Sequence, residues 1–104
     1  MKTRRILLPY FARRVCQDAD IIISAAGCLD LIRADYVRPG QVVVDVGVNI
    51  GPDGAMHGDV AFDEVEPIVA AITPVPGGVG AVTSTVLARH VVQAASRLLE
   101  RGGV

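Results

Sequence analysis

Residues 21–27 read Ile-Ile-Ile-Ser-Ala-Ala-Gly, and residues 42–47 read Val-Val-Val-Asp-Val-Gly. Both begin with three consecutive β-branched residues, without polar alternation, and close in glycine. Such runs are typical of strands that are buried on both faces, as in parallel sheets. A possible helical turn at residues 34–37 and a Pro-Gly turn lie between them. The sequence therefore predicts two parallel strands joined by a right-handed crossover.

Helices are predicted on either side of these strands. Residues 4–17 place apolar side chains near helical spacing, which predicts a helix that stops at Asp18. Residues 59–71 predict a short helix, and residues 71–73 predict a brief third strand. The turn sequence Gly-Pro-Asp-Gly at residues 51–54 precedes a possible short extended piece. This alternation of helices and strands is typical of an α/β fold.

A longer helix is predicted over Ala81–Glu100, where apolar residues recur at the helical period. We expect it to pack across one face of the sheet and to bury its apolar side, including the imidazole of His90. On this interpretation Leu87→Asp should unfold the domain. Gly102 and Gly103 then end the helix.

Composition excludes several classes of protein. The 104 residues are 51% hydrophobic and 20% charged, which predicts one globular domain. A net charge of −1 gives no electrostatic case for nucleic acid or a membrane surface. The uncharged stretch at residues 67–88 is interrupted by proline and glycine, so no transmembrane helix is expected. Cys16 and Cys28 offer neither metal spacing nor a disulfide framework, which favours a reducing cytoplasm and no metal.

Ligands of open parallel sheets bind at the carboxyl ends of the strands. The loops to consider are therefore residues 25–27, 45–49 and 73–80, each of which contains glycine. Glycine lets a backbone approach a ligand closely, although a glycine after a strand can also simply turn the chain. Asp45 has two interpretations as well, since its carboxylate could meet a ribose hydroxyl or cap a turn. Gly78-Val79-Gly80 is only a weak match to a dinucleotide-binding fingerprint.

Three motifs together resemble a known family. They are Asp45-Val46-Gly47-Val48-Asn49, then Gly58-Asp59-Val60, and then Ile72-Thr73-Pro74-Val75-Pro76-Gly77-Gly78-Val79-Gly80 with Thr83. In this order they are similar to the C-terminal half of the bifunctional methylenetetrahydrofolate dehydrogenase/cyclohydrolase, from about Thr3 to Leu99. The resemblance implies a partial Rossmann-like parallel sheet flanked by helices. It also implies NADP-dependent oxidation of 5,10-methylenetetrahydrofolate to the methenyl form, followed by hydrolysis to 10-formyltetrahydrofolate.

The resemblance also implies where ligands bind. Gly47 and Val48 match the backbone beside the nicotinamide of the cofactor, and Thr3 matches a threonine near its adenosine phosphate end. A tetrahydrofolate derivative is the implied substrate. The positions that match the loop lining its side of the cleft are Val75, Pro76, Gly77, Gly78 and Val79.

Some family elements have no counterpart among the 104 residues. The Gly-Arg-Ser phosphate-binding turn and its strand would precede Met1. The catalytic Tyr and Lys belong to an N-terminal folate-binding domain, so no catalytic residue is predicted here. Ala81 stands where proline is usual, and Cys28-Leu29 stand where a polar residue and proline are common. We therefore interpret residues 1–104 as an NAD(P)-binding domain that lacks its first strand and phosphate-binding turn.

Two functions remain open at this stage. The chain is the cofactor-binding half of a tetrahydrofolate dehydrogenase/cyclohydrolase, inactive in isolation, or it is a non-catalytic interaction or structural module that retains the fold. A missing strand would leave one sheet edge and one face uncovered, so self-association is expected. The partner is either a second copy in a homodimer or a separate N-terminal half.

Overall fold

The computed structural model describes residues 9–102. Thr3 and the start of the predicted first helix lie outside the described residues. Within them the predicted order of helices and strands is confirmed, with one additional short strand at residues 49–50. The elements are α1 (Pro9–Asp18), β1 (Ile21–Ser24), a 3-10 turn (Ala34–Tyr36), β2 (Val42–Asp45), β3 (Asn49–Ile50), β4 (Met56–His57), α2 (Phe62–Val65), β5 (Ala71–Ile72) and α3 (Val79–Glu100).

Three strands form a parallel sheet in the order β1-β2-β5. Ile22 pairs with Val43, and Ser24 pairs with Asp45, so the carboxyl ends of β1 and β2 are level. Val43 pairs in turn with Ile72 of β5. The predicted parallel sheet is confirmed, and the described part of the chain leaves the outer edge of β1 unpaired.

The hydrophobic core lies on one face of this sheet. Side chains from α1 and from the segments around the 3-10 turn and α2 pack against that face. Burial alternates along β1, and Ile23 is 69% exposed on the opposite face. The prediction that both strands are buried on both faces is therefore wrong for the described residues, because nothing among them covers the second face. The core residues are Ile22, Ile32, Val37, Val43, Val60 and Val65.

Helix α3 departs most from expectation. It begins at Val79, two residues earlier than predicted, and none of its residues is buried by the described part of the chain. Leu87 is 64% exposed, and His90 is exposed as well. The predicted packing of α3 across the sheet is wrong, and Leu87→Asp loses its basis as an unfolding substitution. None of the described helices is both long enough and apolar enough to cross a bilayer.

The segment between β2 and β5 is less helical than predicted. β3 and β4 form an antiparallel hairpin around the expected turn, where Gly54 has a φ of 76°. α2 covers only four residues of the predicted 59–71 helix. Val60 instead forms a parallel bridge with Ile32, and Pro67 disfavours helix beyond α2. The extended start of this segment brings Asp59 and Val60 to the carboxyl end of β2.

Candidate functional site

The carboxyl ends of the parallel strands carry the loops that the sequence singled out. The loop after β1 spans residues 25–28. The loop after β2 spans residues 46–49 and ends on the first residue of β3, and the loop after β5 spans residues 73–78. The backbone N–H of Asp45, the last residue of β2, donates to Thr73 Oγ1 at 2.9 Å and so joins the end of β2 to the loop after β5. These loops therefore meet at one edge of the sheet.

Asp45 ends β2 with a buried carboxylate. Its oxygens accept the backbone N–H groups of Gly47, Asp59 and Val60, each at 3.0 Å. Hydrogen bonds to an ionised acceptor are stronger than bonds between neutral groups. Because these donors occupy the carboxylate, the geometry supports the capping interpretation of Asp45 over a contact with ribose.

Asp59 holds the other loops with a second buried carboxylate. Its Oδ2 accepts Ser24 Oγ at 2.9 Å and Ala26 N–H at 2.7 Å. Its Oδ1 accepts Cys28 N–H at 3.0 Å and Asn49 Nδ2 at 3.1 Å. One side chain that is 0% exposed thus connects the loop after β1 with the loop after β2.

The electrostatics of Asp59 favour the ionised form. Desolvation by burial acts to raise the pKa of this carboxyl group, and it is the largest single influence. The hydrogen bonds from Ala26, Asn49, Ser24 and Cys28 act in the opposite direction. Together they prevail and hold the pKa of Asp59 below its ordinary value.

The two buried carboxylates lie so close to the backbone at two positions that only glycine fits there. A Cβ on Gly47 would overlap the carboxylate of Asp59, and a Cβ on Gly58 would overlap that of Asp45. Gly47 is buried, and its N–H already donates to Asp45, so that N–H is not free to meet a ligand. Val48, the next predicted cofactor contact, is 65% exposed.

The loop from β5 to α3 contains the predicted substrate positions. Gly77 has a φ of 95°, a conformation that side chains other than glycine rarely adopt. A Cβ on Gly78 would overlap the carbonyl oxygen of Pro74. Pro76 is exposed, whereas Val75 and Val79 are half-buried. The loop therefore has a shape that depends on its glycines.

A cleft of about 480 Å³ lies beside this edge of the sheet. Asp45, His57 and Val75 contribute to its wall, and four further charged residues line it: Asp30, Arg33, Asp63 and Glu64. Arg33 is engaged by Glu64 at 3.1 Å. Excess negative charge disfavours a phosphate here. Among the described positions predicted to bind cofactor or substrate, the cleft wall includes only Val75.

Comparison with known proteins places this geometry in a family. Residues 11–99 match the family described as tetrahydrofolate dehydrogenase/cyclohydrolase, NAD(P)-binding domain. The chain belongs to this family. The resemblance drawn from the three sequence motifs and the Rossmann-like α/β fold class are both confirmed.

Individual relatives agree with the assignment. The chain is 57% identical over 82 residues to the bifunctional protein FolD of Carboxydothermus hydrogenoformans, covering 77% of this chain and 29% of that protein. The crystal structure of FolD from Campylobacter jejuni has a TM-score of 0.79 at 45% identity, covering 83% of this chain and 30% of that one. FolD from Trypanosoma brucei, solved with NADP cofactor and inhibitor, has a TM-score of 0.78 at 34% identity, covering 88% and 33%.

The chain spans about 30% of the length of these relatives. The binding roles of Gly47 and Val48 and of the loop from Val75 to Val79 stay predictions. Asp59 is the residue that sequence reasoning missed. It was noticed only as part of a motif, because three of its four hydrogen-bond partners lie more than 30 positions away in the chain.

Proposed function

We propose that this chain is the cofactor-binding part of a tetrahydrofolate dehydrogenase/cyclohydrolase. It binds NADP at the carboxyl edge of its parallel sheet and works in the oxidation of 5,10-methylenetetrahydrofolate and the hydrolysis of the methenyl product to 10-formyltetrahydrofolate. The observation that carries this proposal is the set of strand-end loops held together by Asp45 and Asp59 in a chain of this family.

The residues at this edge fit a dinucleotide. Gly27 has a φ of 68° with nothing within 4 Å of a Cβ built on it, and Val48 is exposed in the loop after β2. Open backbone at a glycine lets a flat ring system approach closely, so these two positions would face the cofactor. The loop from Val75 to Val79 would line the folate side, and Thr3 would approach the adenosine phosphate end. Bound NADP supplies the hydride acceptor.

The strand-end loops offer few groups that could bind the phosphates of a dinucleotide. Residues 21–29, 42–51 and 71–81 contain neither Lys nor Arg. A dinucleotide derives much of its affinity from N–H groups at a helix N-terminus and from cations at its phosphates. We therefore infer that the phosphate contacts come from outside these loops, and that this chain alone binds NADP weakly and lacks turnover.

Two uncovered surfaces support a partner. The outer edge of β1 has no strand paired to it in the described part of the chain, and α3 exposes a series of large apolar side chains. Exposed apolar surface of this kind marks an interaction site. We propose that a separate N-terminal half covers it, with a homodimer as the other arrangement, and that the assembly is cytoplasmic. The exposed residues of α3 are Val82, Val86, Leu87, Val91, Val92, Leu98 and Leu99.

The exposed face of α3 also suits a non-catalytic interaction module, and one experiment separates the two functions. NADP is titrated by calorimetry into the chain alone and into its mixture with an N-terminal half carrying the family's Tyr, Lys and Gly-Arg-Ser elements. Methylenetetrahydrofolate oxidation is assayed in both samples. We expect weak binding and no turnover by the chain alone, and turnover by the mixture.

Three other outcomes are informative. A mixture that associates but neither binds NADP nor turns over would favour the interaction module. Micromolar NADP binding by the isolated chain would contradict the inference that the phosphate contacts lie elsewhere. Light scattering that shows a stable monomer at high concentration would contradict the homodimer.

A further inference from the structure

Asp59 connects two loops that approach the same ligand edge. Its two oxygens accept different donors: Oδ2 accepts the N–H of Ala26, and Oδ1 accepts the N–H of Cys28. Gly27 lies between these two held amides with a φ of 68° and nothing within 4 Å of a Cβ built on it. The carboxylate therefore fixes the peptide groups on both sides of an open glycine.

The same carboxylate reaches the loop after β2. Asn49 donates from Nδ2 to Oδ1 at 3.1 Å, and Val48 directly precedes it with an exposed side chain. Asp59 itself is 0% exposed and does not reach solvent. Its influence on a ligand would therefore pass through the loop backbones rather than through direct contact.

We propose that Asp59 is the positioning residue that sets Gly27 and Val48 in register for NADP. This inference rests on the proposed function, because it takes NADP as the ligand of that edge. On this proposal, Asp59 holds the loop after β1 and the loop after β2 at a fixed distance from each other.

A carboxylate is required because two backbone donors approach different oxygens. An asparagine at position 59 has one acceptor oxygen and one NH₂ group. If the NH₂ group takes the place of Oδ1, it faces the N–H of Cys28. If it takes the place of Oδ2, it faces the N–H of Ala26. The side chains of Ser24 and Asn49 can rotate to accommodate either orientation, but a backbone N–H cannot. Asp59→Asn therefore leaves one loop amide without an acceptor in every orientation.

The first measurement is amide hydrogen exchange of the chain, detected residue by residue by NMR. In Asp59→Asn we expect exchange at Ala26 or Cys28 to accelerate about tenfold or more, while the amides of β2 keep their protection. Asp53→Asn is the matched control, because exposed Asp53 accepts a backbone N–H from Ala55 at 3.0 Å in the hairpin turn. Unchanged exchange in Asp59→Asn, or equal acceleration throughout the sheet, overturns the proposal.

Exchanging the residues at positions 49 and 59 tests whether Asp59 acts by holding backbone amides or by pairing with the side chain of Asn49. Asp59→Asn combined with Asn49→Asp restores one hydrogen bond between the two side chains and leaves the N–H of Cys28 unpaired. We expect exchange at Cys28 to stay fast while Ala26 regains protection. Full recovery at both amides would mean that the side-chain pair, and not the backbone, is what matters, and would overturn the proposal.

The second measurement is an NMR titration of the same variants with NADP. We expect shifts at Gly27 and Val48 in the unsubstituted chain, about tenfold weaker binding in Asp59→Asn, and unchanged binding in Asp53→Asn. Equal affinity in Asp59→Asn overturns the positioning role alone. A chain without any NADP-dependent shift overturns the proposed function and this role together, while the exchange data still report whether the loops are held.

Asn49→Ala keeps the test decisive if Asp59→Asn does not fold. It removes one side-chain donor and leaves both backbone donors of the first loop in place. We expect faster exchange at the amide of the substituted position, which is paired with His57 in the hairpin, retained protection at Ala26 and Cys28, and NADP binding weakened severalfold. Unchanged exchange at position 49 together with unchanged NADP binding would overturn the proposal.

Discussion

Gly58→Ala tests the close approach between the hairpin and the end of β2. Gly58 is buried, and a Cβ at this position would overlap the carboxylate of Asp45. That carboxylate cannot withdraw freely, since it accepts backbone N–H groups from Gly47, Asp59 and Val60 at 3.0 Å. The added methyl group must therefore break at least one of these hydrogen bonds or move the hairpin.

The expected cost follows from the bonds at risk. A hydrogen bond to a charged acceptor contributes about 1.5–3 kcal/mol, and a buried donor left unpaired costs a similar amount. We expect Gly58→Ala to lower the free energy of unfolding by about 2–3 kcal/mol, which is a large share of the ~5–15 kcal/mol of a typical domain. The melting temperature should fall by roughly 10 °C or more.

Urea unfolding and thermal melts of the variant and of a control measure this effect. Gly80→Ala is the matched control, because Gly80 lies in α3 with nothing within 4 Å of an added Cβ and without a positive φ. There the same substitution should leave stability unchanged or raise it by about 0.5–1 kcal/mol. Equal midpoints for Gly58→Ala and the unsubstituted chain would refute the reasoning.

Three further outcomes follow from burial and charge. Leu87→Asp should change the free energy of unfolding by less than about 0.5 kcal/mol and reduce self-association in light scattering; loss of a cooperative melt would contradict the exposed position of Leu87. Val43→Ala should cost about 2 kcal/mol in urea unfolding, because Val43 is fully buried at the centre of the sheet, and an unchanged midpoint would contradict that placement. The pKa of Asp59 is lower in the folded than in the unfolded chain, so its ionised carboxylate stabilises the fold. The stabilisation is complete at pH values above the ordinary carboxyl pKa of about 3.9 and is lost as the pH falls through the pKa of the folded chain. Urea unfolding from pH 7 to pH 3 should therefore show a steeper acid loss in the unsubstituted chain than in Asp59→Asn, and identical slopes would contradict the assignment.

The strands could be predicted from sequence because local chemistry determines them. The strands at residues 21–24 and 42–45 each begin with three β-branched apolar residues, and each is followed closely by small residues that let the chain turn. The three motifs likewise lie in the loops at the strand ends. In these places the identity of a residue and its local conformation are strongly coupled.

Burial of α3 and the role of Asp59 could not be predicted in the same way. An amphipathic pattern identifies which face of a helix is apolar and does not identify what covers it, so the periodicity of α3 was misinterpreted as packing on the sheet. Asp59 draws three of its four hydrogen-bond partners from β1 and the loop beyond it, 31–35 positions away. Such a contact depends on the assembled fold, and no local pattern around Asp59 specifies it.

The two buried aspartates bind the strand-end loops mostly through main-chain N–H groups. Every amino acid except proline carries that donor, so the shape of the loops does not depend on which side chains stand at the exposed positions Ala26 and Cys28. Exchange of side chains on this edge can therefore alter what it recognises while the scaffold beneath is preserved. A library randomised at Cys28 and Val48 should accordingly retain folding far more often than one randomised at Asp45 and Asp59.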